Sequence, residues 1–164
     1  MNQKLDPSCK EWNQSLLALL LADPPDVVVS IGTRFLDDKE SIPDGYRTYF
    51  EALSEAGISV VAVRAAPLLP FDAPACVDTQ ALDSCFVSRE DRFVSLPELS
   101  VPEWSGFTFV DMVDAYCGED LCPVVDGDIM MYRDKAHLTN TWITERGGAV
   151  TKAVEAAITA RPTQ

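Results

Sequence analysis

Two short runs of apolar, mostly β-branched residues, Val27–Ile31 and Ile58–Arg64, stand either side of a helical pattern that ends on a glycine. Nothing else in the chain limits its fold so strongly. Each run is too short to be a helix, is bounded by turn residues, and reads as a strand covered on both faces. Between them, Ile42 to Ala56 has Pro43 near its start and Tyr46, Tyr49, Phe50 and Leu53 at helical spacing, with Gly57 placed to cap it. Ahead of the first strand, Trp12, Leu16, Leu17, Leu19, Leu20 and Leu21 predict a mostly buried helix over Cys9–Leu21, stopped by Asp23-Pro24-Pro25. Helix, strand, helix, strand with short connections specifies an α/β fold with a mostly parallel sheet.

The rhythm then breaks. Residues 67–102 hold five of the eleven prolines and two cysteines, with one short helix expected near Val77–Phe86. Phe107–Met112 reads as a further strand, an edge one, and Cys117–Asp126 as a clipped loop. Ile129–Tyr132 reads as a short strand or an extended approach to Arg133-Asp134, and Ile143, Val150, Val154, Ala157 and Ile158 as one face of a final helix weakened by Gly147-Gly148. No internal repeat or linker divides the 164 residues, so a single domain over 1–164 is expected.

Charge and composition narrow the functional classes. Thirteen Lys and Arg against twenty-six Asp and Glu give a net charge of −13, which disfavours nucleic acid and anionic membranes as partners. One histidine excludes any site that needs two. The longest apolar run, Leu16–Ala22, is far short of the roughly 18 residues of a membrane span. It also lacks the basic flank and cleavage pattern of a secretory leader, since Glu11 interrupts the first and Asp23-Pro24-Pro25-Asp26 follows at once.

The five cysteines fall as two local pairs, Cys76 with Cys85 and Cys117 with Cys122, leaving Cys9 over. Their polar, Pro- and Asp-rich surroundings favour disulfides, with reduced buried thiols as the alternative. Neither spacing suits zinc, and four residues between Cys117 and Cys122 do not make the C-x-x-C of a thiol oxidoreductase. Oxidised pairs imply an oxidising compartment, and the leftover Cys9 suggests a partner upstream.

The stretch Tyr132-Arg-Asp-Lys-Ala-His-Leu-Thr139 carries the chemistry. It sets Asp134 three residues before the sole histidine, His137, in a loop that runs into the last helix. A histidine base needs a partner on Nδ1 to fix its tautomer, and an aspartate at that spacing can supply it across a turn. Other polar candidates are weaker. Ser30 ends a parallel strand, at the edge where α/β proteins build their sites, and Arg34 could pair with an anionic substrate. Ser88 and Ser105 sit in loops without a nameable partner. Asp37-Asp38 and Glu119-Asp120 could be metal carboxylates, although solvated faces explain them better.

Taken in order, these motifs resemble the SGNH (G-D-S-L esterase) superfamily. The likeness is closest to the extracytoplasmic SGNH domain fused behind a membrane acyltransferase-3 domain. The features are Cys9-Lys-Glu-Trp12, Pro25-Asp-Val-Val-Val-Ser30, the Cys76/Cys85 pair, and Cys122-Pro123 ahead of Asp134-x-x-His137. The resemblance implies a three-layer α/β/α sandwich with a mostly parallel, flavodoxin-like sheet, and His137 as general base oriented by Asp134. It also implies O-acyl transfer or ester hydrolysis on cell-envelope glycans, with an acyl donor and a glycan acceptor as partners and no cofactor. The superfamily's nucleophile stands in a Gly-Asp-Ser block, and these 164 residues contain none. The family pattern places that block ahead of the Cys–Trp helix, so the sheet is expected to be incomplete at its N-terminal edge. A glycan- or protein-binding module without catalysis is the competing expectation.

Overall fold

The computed structural model describes residues 7–36 and 39–160. Its centre is a parallel three-stranded sheet made of β1 (Val27–Ile31), β4 (Ser59–Val63) and β6 (Phe107–Val110), in the order β1-β4-β6. Val28 pairs with Val60, and Ala62 with Phe109. The central strand is the driest: Val60, Val61 and Ala62 are fully buried, as β-branched and small residues covered on both faces should be.

One face of the sheet carries α1 (Pro7–Ala22) and α2 (Asp44–Glu55). Phe50 and Leu53 of α2 pack with Ile58, Val60 and Ala62, and Phe50 lies 5.8 Å from the Phe107 ring. Pro43 precedes α2, and Gly57 ends it in the left-handed region (φ 75°), its N–H donating to the Ser54 carbonyl at 3.0 Å. The opposite face is covered by α8 (Gly148–Thr159), whose Val150, Ala153, Val154 and Ala157 pack on the larger core cluster with Val61 and Val110. Helix, sheet and helix make three layers around a mostly parallel sheet, as the flavodoxin-like expectation requires.

Two burial expectations fail together. α1 forms over Pro7–Ala22, but none of its residues is buried: Leu17 and Leu20 lean on the core, whereas Trp12 and Leu19 are each 63% exposed. Strand β1 likewise is not covered on both faces, and Val29 and Ile31 are each 50% exposed. The reason is shared, because β1 is an edge strand and α1 lies on it from one side only.

The remaining elements build on the carboxyl ends of the parallel strands. A hairpin of β2 (Arg34–Leu36) and β3 (Lys39–Ser41) follows β1. After β4 come α3 (Ala73–Thr79), a 3-10 turn at Leu82–Ser84, β5 (Phe86–Ser88), α4 (Arg89–Arg92) and α5 (Leu96–Leu99). The expected helix near Val77–Phe86 therefore starts earlier: Asp72 accepts the Ala75 N–H at 3.1 Å and fixes its first turn. After β6 come α6 (Val113–Tyr116), β7 (Leu121–Pro123), β8 (Val125–Asp126) and β9 (Ile129–Met130), so the clipped loop contains strands. β5 pairs antiparallel with β7, setting Val87 opposite Cys122.

Both local cysteine pairs are disulfides, Cys76–Cys85 and Cys117–Cys122, and Cys9 is free and exposed. All four bonded cysteines are nonetheless buried in the larger core, so their polar sequence neighbourhood did not mean an exposed position. The final helix is two helices, α7 (Asn140–Arg146) and α8. Gly147 sits at the break, where a Cβ would come within 2.6 Å of the Ile143 carbonyl oxygen, so only glycine fits. Ile143 and Ile158 consequently do not join one buried face and are 47% and 52% exposed.

Candidate functional site

The loop that carries Asp134 and His137 is closed at its neck by an antiparallel bridge between Tyr132 and Leu138. Tyr132 and Met131 are buried in the core, and Leu138 packs against it, so the neck is fixed while residues 135–137 face solvent. The Arg133 N–H donates to the His137 carbonyl at 2.9 Å, and the Leu69 N–H donates to the Lys135 carbonyl at 2.8 Å. That second bond ties the loop to the segment leaving β4. On the far side, the Thr139 hydroxyl donates to the Met130 carbonyl at 2.7 Å and accepts the Trp142 N–H at 3.3 Å, capping α7. Trp142 is itself buried, and its indole N–H donates to Asp126 at 3.1 Å. Asp126 also receives Arg146 Nε at 2.7 Å.

Within this frame Asp134 does two things. Its Oδ1 accepts the backbone N–H groups of Ala136 and His137, each at 2.8 Å, which curls the chain and turns the imidazole back over the carboxylate. His137 Nδ1 then lies 2.8 Å from Oδ2 and 3.0 Å from Oδ1. A carboxylate on Nδ1 assigns the proton to that nitrogen and leaves Nε2 as the lone-pair acceptor. No described residue hydrogen-bonds Nε2, and the side chain is 64% exposed. The two backbone donors, followed by the His137 side chain, hold the Asp134 carboxyl down at about 2, so it stays ionised wherever a histidine base would operate.

A second charged cluster sits beyond the ends of β4 and β6, and sequence reasoning missed it. Arg64, the residue after β4, is buried. Its Nε donates to Glu40 Oε1 at 2.8 Å, and its terminal nitrogens to Glu40 Oε2 at 2.6 Å and Asp111 Oδ2 at 3.1 Å. Arg64 also donates to the Val94 carbonyl, and the guanidinium lies 5.0 Å over the Phe93 ring. Burial works to lower the Arg64 pKa, but the bonds and charge of Glu40, with Asp111 behind, outweigh it and the net shift is upward. The cluster joins residues 24 and 47 positions apart, and the only sequence signal was a charged residue directly after each buried strand.

The other sequence candidates are not gathered with His137. Ser30 is half-buried near the end of β1, its hydroxyl donating to the Ile31 carbonyl at 3.3 Å, and Arg34 is exposed on β2. Ser88 caps α4 through the Asp91 N–H, and Ser105 lies by Trp104 in a shallow hollow with Glu51, Ser54 and Glu55. Glu119 and Asp120 are exposed in the Cys117–Cys122 loop, and Asp37 and Asp38 lie outside the described residues. Among the described residues no cluster of His, Cys, Asp and Glu could hold a metal ion, and no helix is long and apolar enough to cross a membrane.

Comparison with known proteins gives one match. A family model described as the SGNH domain (fused to AT3 domains) covers residues 1–143. No curated protein and no solved structure matches the chain.

Proposed function

The chain belongs to the SGNH domain family that occurs fused to AT3 domains, one of hydrolase- or acyltransferase-like function, and from that premise we propose that it is the Asp-His half of a serine O-acyltransferase or esterase acting on acyl esters of cell-envelope glycans. The observation that carries the proposal is the Asp134–His137 pair, with Nδ1 engaged at 2.8 Å and Nε2 open to solvent. In the reaction Nε2 accepts the proton of a serine hydroxyl as its oxygen attacks the acyl carbonyl, and Asp134 stabilises the imidazolium that forms. The same nitrogen returns the proton to the departing group. A sugar hydroxyl or water, deprotonated in turn by His137, then takes the acyl group from the serine, whose oxygen receives that proton back from Nε2 as the acyl bond breaks. The Asp134 carboxylate stays charged throughout.

The serine is assigned to a segment outside these 164 residues, since no Gly-Asp-Ser occurs within them. Two features support a preceding segment that completes the sheet. The open edge of β1 leaves Val29 and Ile31 half exposed, and beside it Trp12 and Leu19 of α1 stand in solvent. A parallel strand added there would cover both, and the family's AT3 fusion fits a larger protein. The disulfides fit an extracytoplasmic location.

A serine-directed phosphonate applied to the whole protein tests the reading. Labelling should be strong in the parent and lost in His137→Ala. Full activity in His137→Ala would end it. The missing Gly-Asp-Ser also favours a second reading, a glycan-binding module without catalysis, which would show carbohydrate binding and no turnover of any acetyl ester.

A further inference from the structure

A cavity of about 690 Å³ lies away from the His137 loop. It opens beyond β4 and β6, with Arg64 and Asp111 at its floor and α4, α5 and the 119–121 loop as walls. Its size falls within the usual range for small-molecule sites. Two leucines, Leu96 and Leu121, line it while each remains 43% exposed, an apolar surface left open inside a polar hollow. Around them stand Glu90, Glu119 and Asp120, none in an ion pair with a described residue.

Both guanidinium groups in the lining are already engaged. Arg64 is held by Glu40 and Asp111, and Arg89 by Asp114 at 2.6 Å and the Gly118 carbonyl at 2.9 Å. The cavity therefore offers carboxylate acceptors and apolar patches but no available cation. Hydroxyl groups with C–H faces between them match that surface. Phosphates and carboxylates would meet like charge.

Both disulfides brace these walls. Cys85 leads directly into β5, whose last residue Ser88 lines the cavity, and Cys117–Cys122 encloses Glu119, Asp120 and Leu121. A wall fixed by covalent links loses little freedom when a ligand docks. The cavity is joined to the His137 loop through the chain itself. The run from Arg64 to Leu69 links its floor to the Lys135 carbonyl, and five residues span at most ~18 Å. A distance of that order is within the length of one oligosaccharide.

We propose that this cavity is a binding subsite for a saccharide without anionic groups, holding the glycan acceptor at a distance from the point of acyl transfer. The proposal rests on the acyl-transfer reading for its role but not for its binding chemistry.

The test is ligand-observed NMR titration of the whole protein with N-acetylated chitotriose as the neutral probe and trigalacturonate as the anionic one. The neutral trisaccharide should bind saturably, and trigalacturonate about tenfold more weakly or not at all. Leu121→Asp should weaken the neutral probe about tenfold. Glu119→Arg combined with Asp120→Arg, both exposed and safe for folding, should reverse the charge preference. Equal affinity in the parent and both variants, no binding of the neutral probe, or tighter binding of trigalacturonate to the parent would overturn the proposal. His137→Ala separates it from the catalytic reading. Loss of turnover with chitotriose binding intact is expected. Full turnover with binding intact would remove the catalytic reading and keep the cavity, and lost turnover in a protein that never binds chitotriose would do the reverse.

Discussion

Two clusters, each pairing a basic side chain with carboxylate, lie beyond the carboxyl ends of the sheet, and they are built to opposite ends. At Glu40–Arg64–Asp111 every guanidinium nitrogen has an acceptor, and Arg64 and Glu40 are withdrawn from water. At Asp134–His137 the carboxylate is saturated by two backbone N–H groups and Nδ1, but the imidazole keeps one nitrogen free and stays largely in solvent. A saturated, buried ion pair can only hold elements together, because any change in its protonation leaves a charge stranded. A half-saturated, exposed pair contributes little to folding and can exchange a proton with a substrate. Satisfaction of hydrogen bonds, rather than charge, separates the structural cluster from the reactive one.

The sharpest way to break that contrast is Asp134→Asn. The amide oxygen can still accept the Ala136 and His137 N–H groups, so the turn survives. The amide nitrogen cannot accept from Nδ1, and the imidazole loses the tautomer that leaves Nε2 as a base. Turnover should fall about 10³- to 10⁴-fold, while the denaturation midpoint barely moves. A fall of less than about tenfold in the acyl-transfer rate would show that Asp134 does not orient the histidine.

Glu40→Gln should do the converse. It leaves the Arg64 guanidinium buried with only the half-exposed Asp111 for countercharge, and it weakens the acceptor for the Val94 N–H as well. Urea denaturation should show a loss of about 3–5 kcal/mol, with turnover per folded molecule unchanged. A loss below about 1 kcal/mol would mean that water reaches Arg64 and that the cluster is less dry than its geometry implies.

How far each region was legible in the sequence follows the same division. Asp134 and His137 are three residues apart, so their partnership is a local event and a turn is enough to make it. The parallel strands were legible for a similar reason: the β-branched runs at Val27–Ile31 and Ser59–Val63 carry their own signal. The Glu40–Arg64 pair was not, since its partners meet only once the β2–β3 hairpin has folded over the end of β4. Burial of α1 was not legible, because a Leu-rich helix need not have a buried face. Which of those leucines is covered depends on what lies beside β1, and local pattern carries no information on that. The break between α7 and α8 was half legible. Gly147-Gly148 marked a weakness, but the close approach of the Ile143 carbonyl that makes Gly147 obligatory is a contact only the folded chain has.

Acid titration gives the smallest effect and the finest test. Asp134 is held at about 2 in the folded protein, against about 3.9 for a free aspartate. The folded state therefore binds the proton more weakly than the unfolded one. Its stabilising contribution is complete above the unfolded value and disappears as pH falls through the folded one. Because the carboxylate is exposed, the contribution is small, and it is best read as a difference. Melting temperatures of the parent and Asp134→Asn should keep a constant small offset from pH 5 to about 4, which should close as pH approaches about 2. The acid titration of the chain's many other carboxylates cancels in that difference, since both proteins share them. An offset that stays unchanged from pH 5 to about 2 would mean that the carboxyl titrates alike in the folded and unfolded chains and that the backbone N–H groups do not hold it. The loop would then be as loose as an ordinary surface turn, and the imidazole would lack the fixed partner that distinguishes it from the saturated cluster at Arg64.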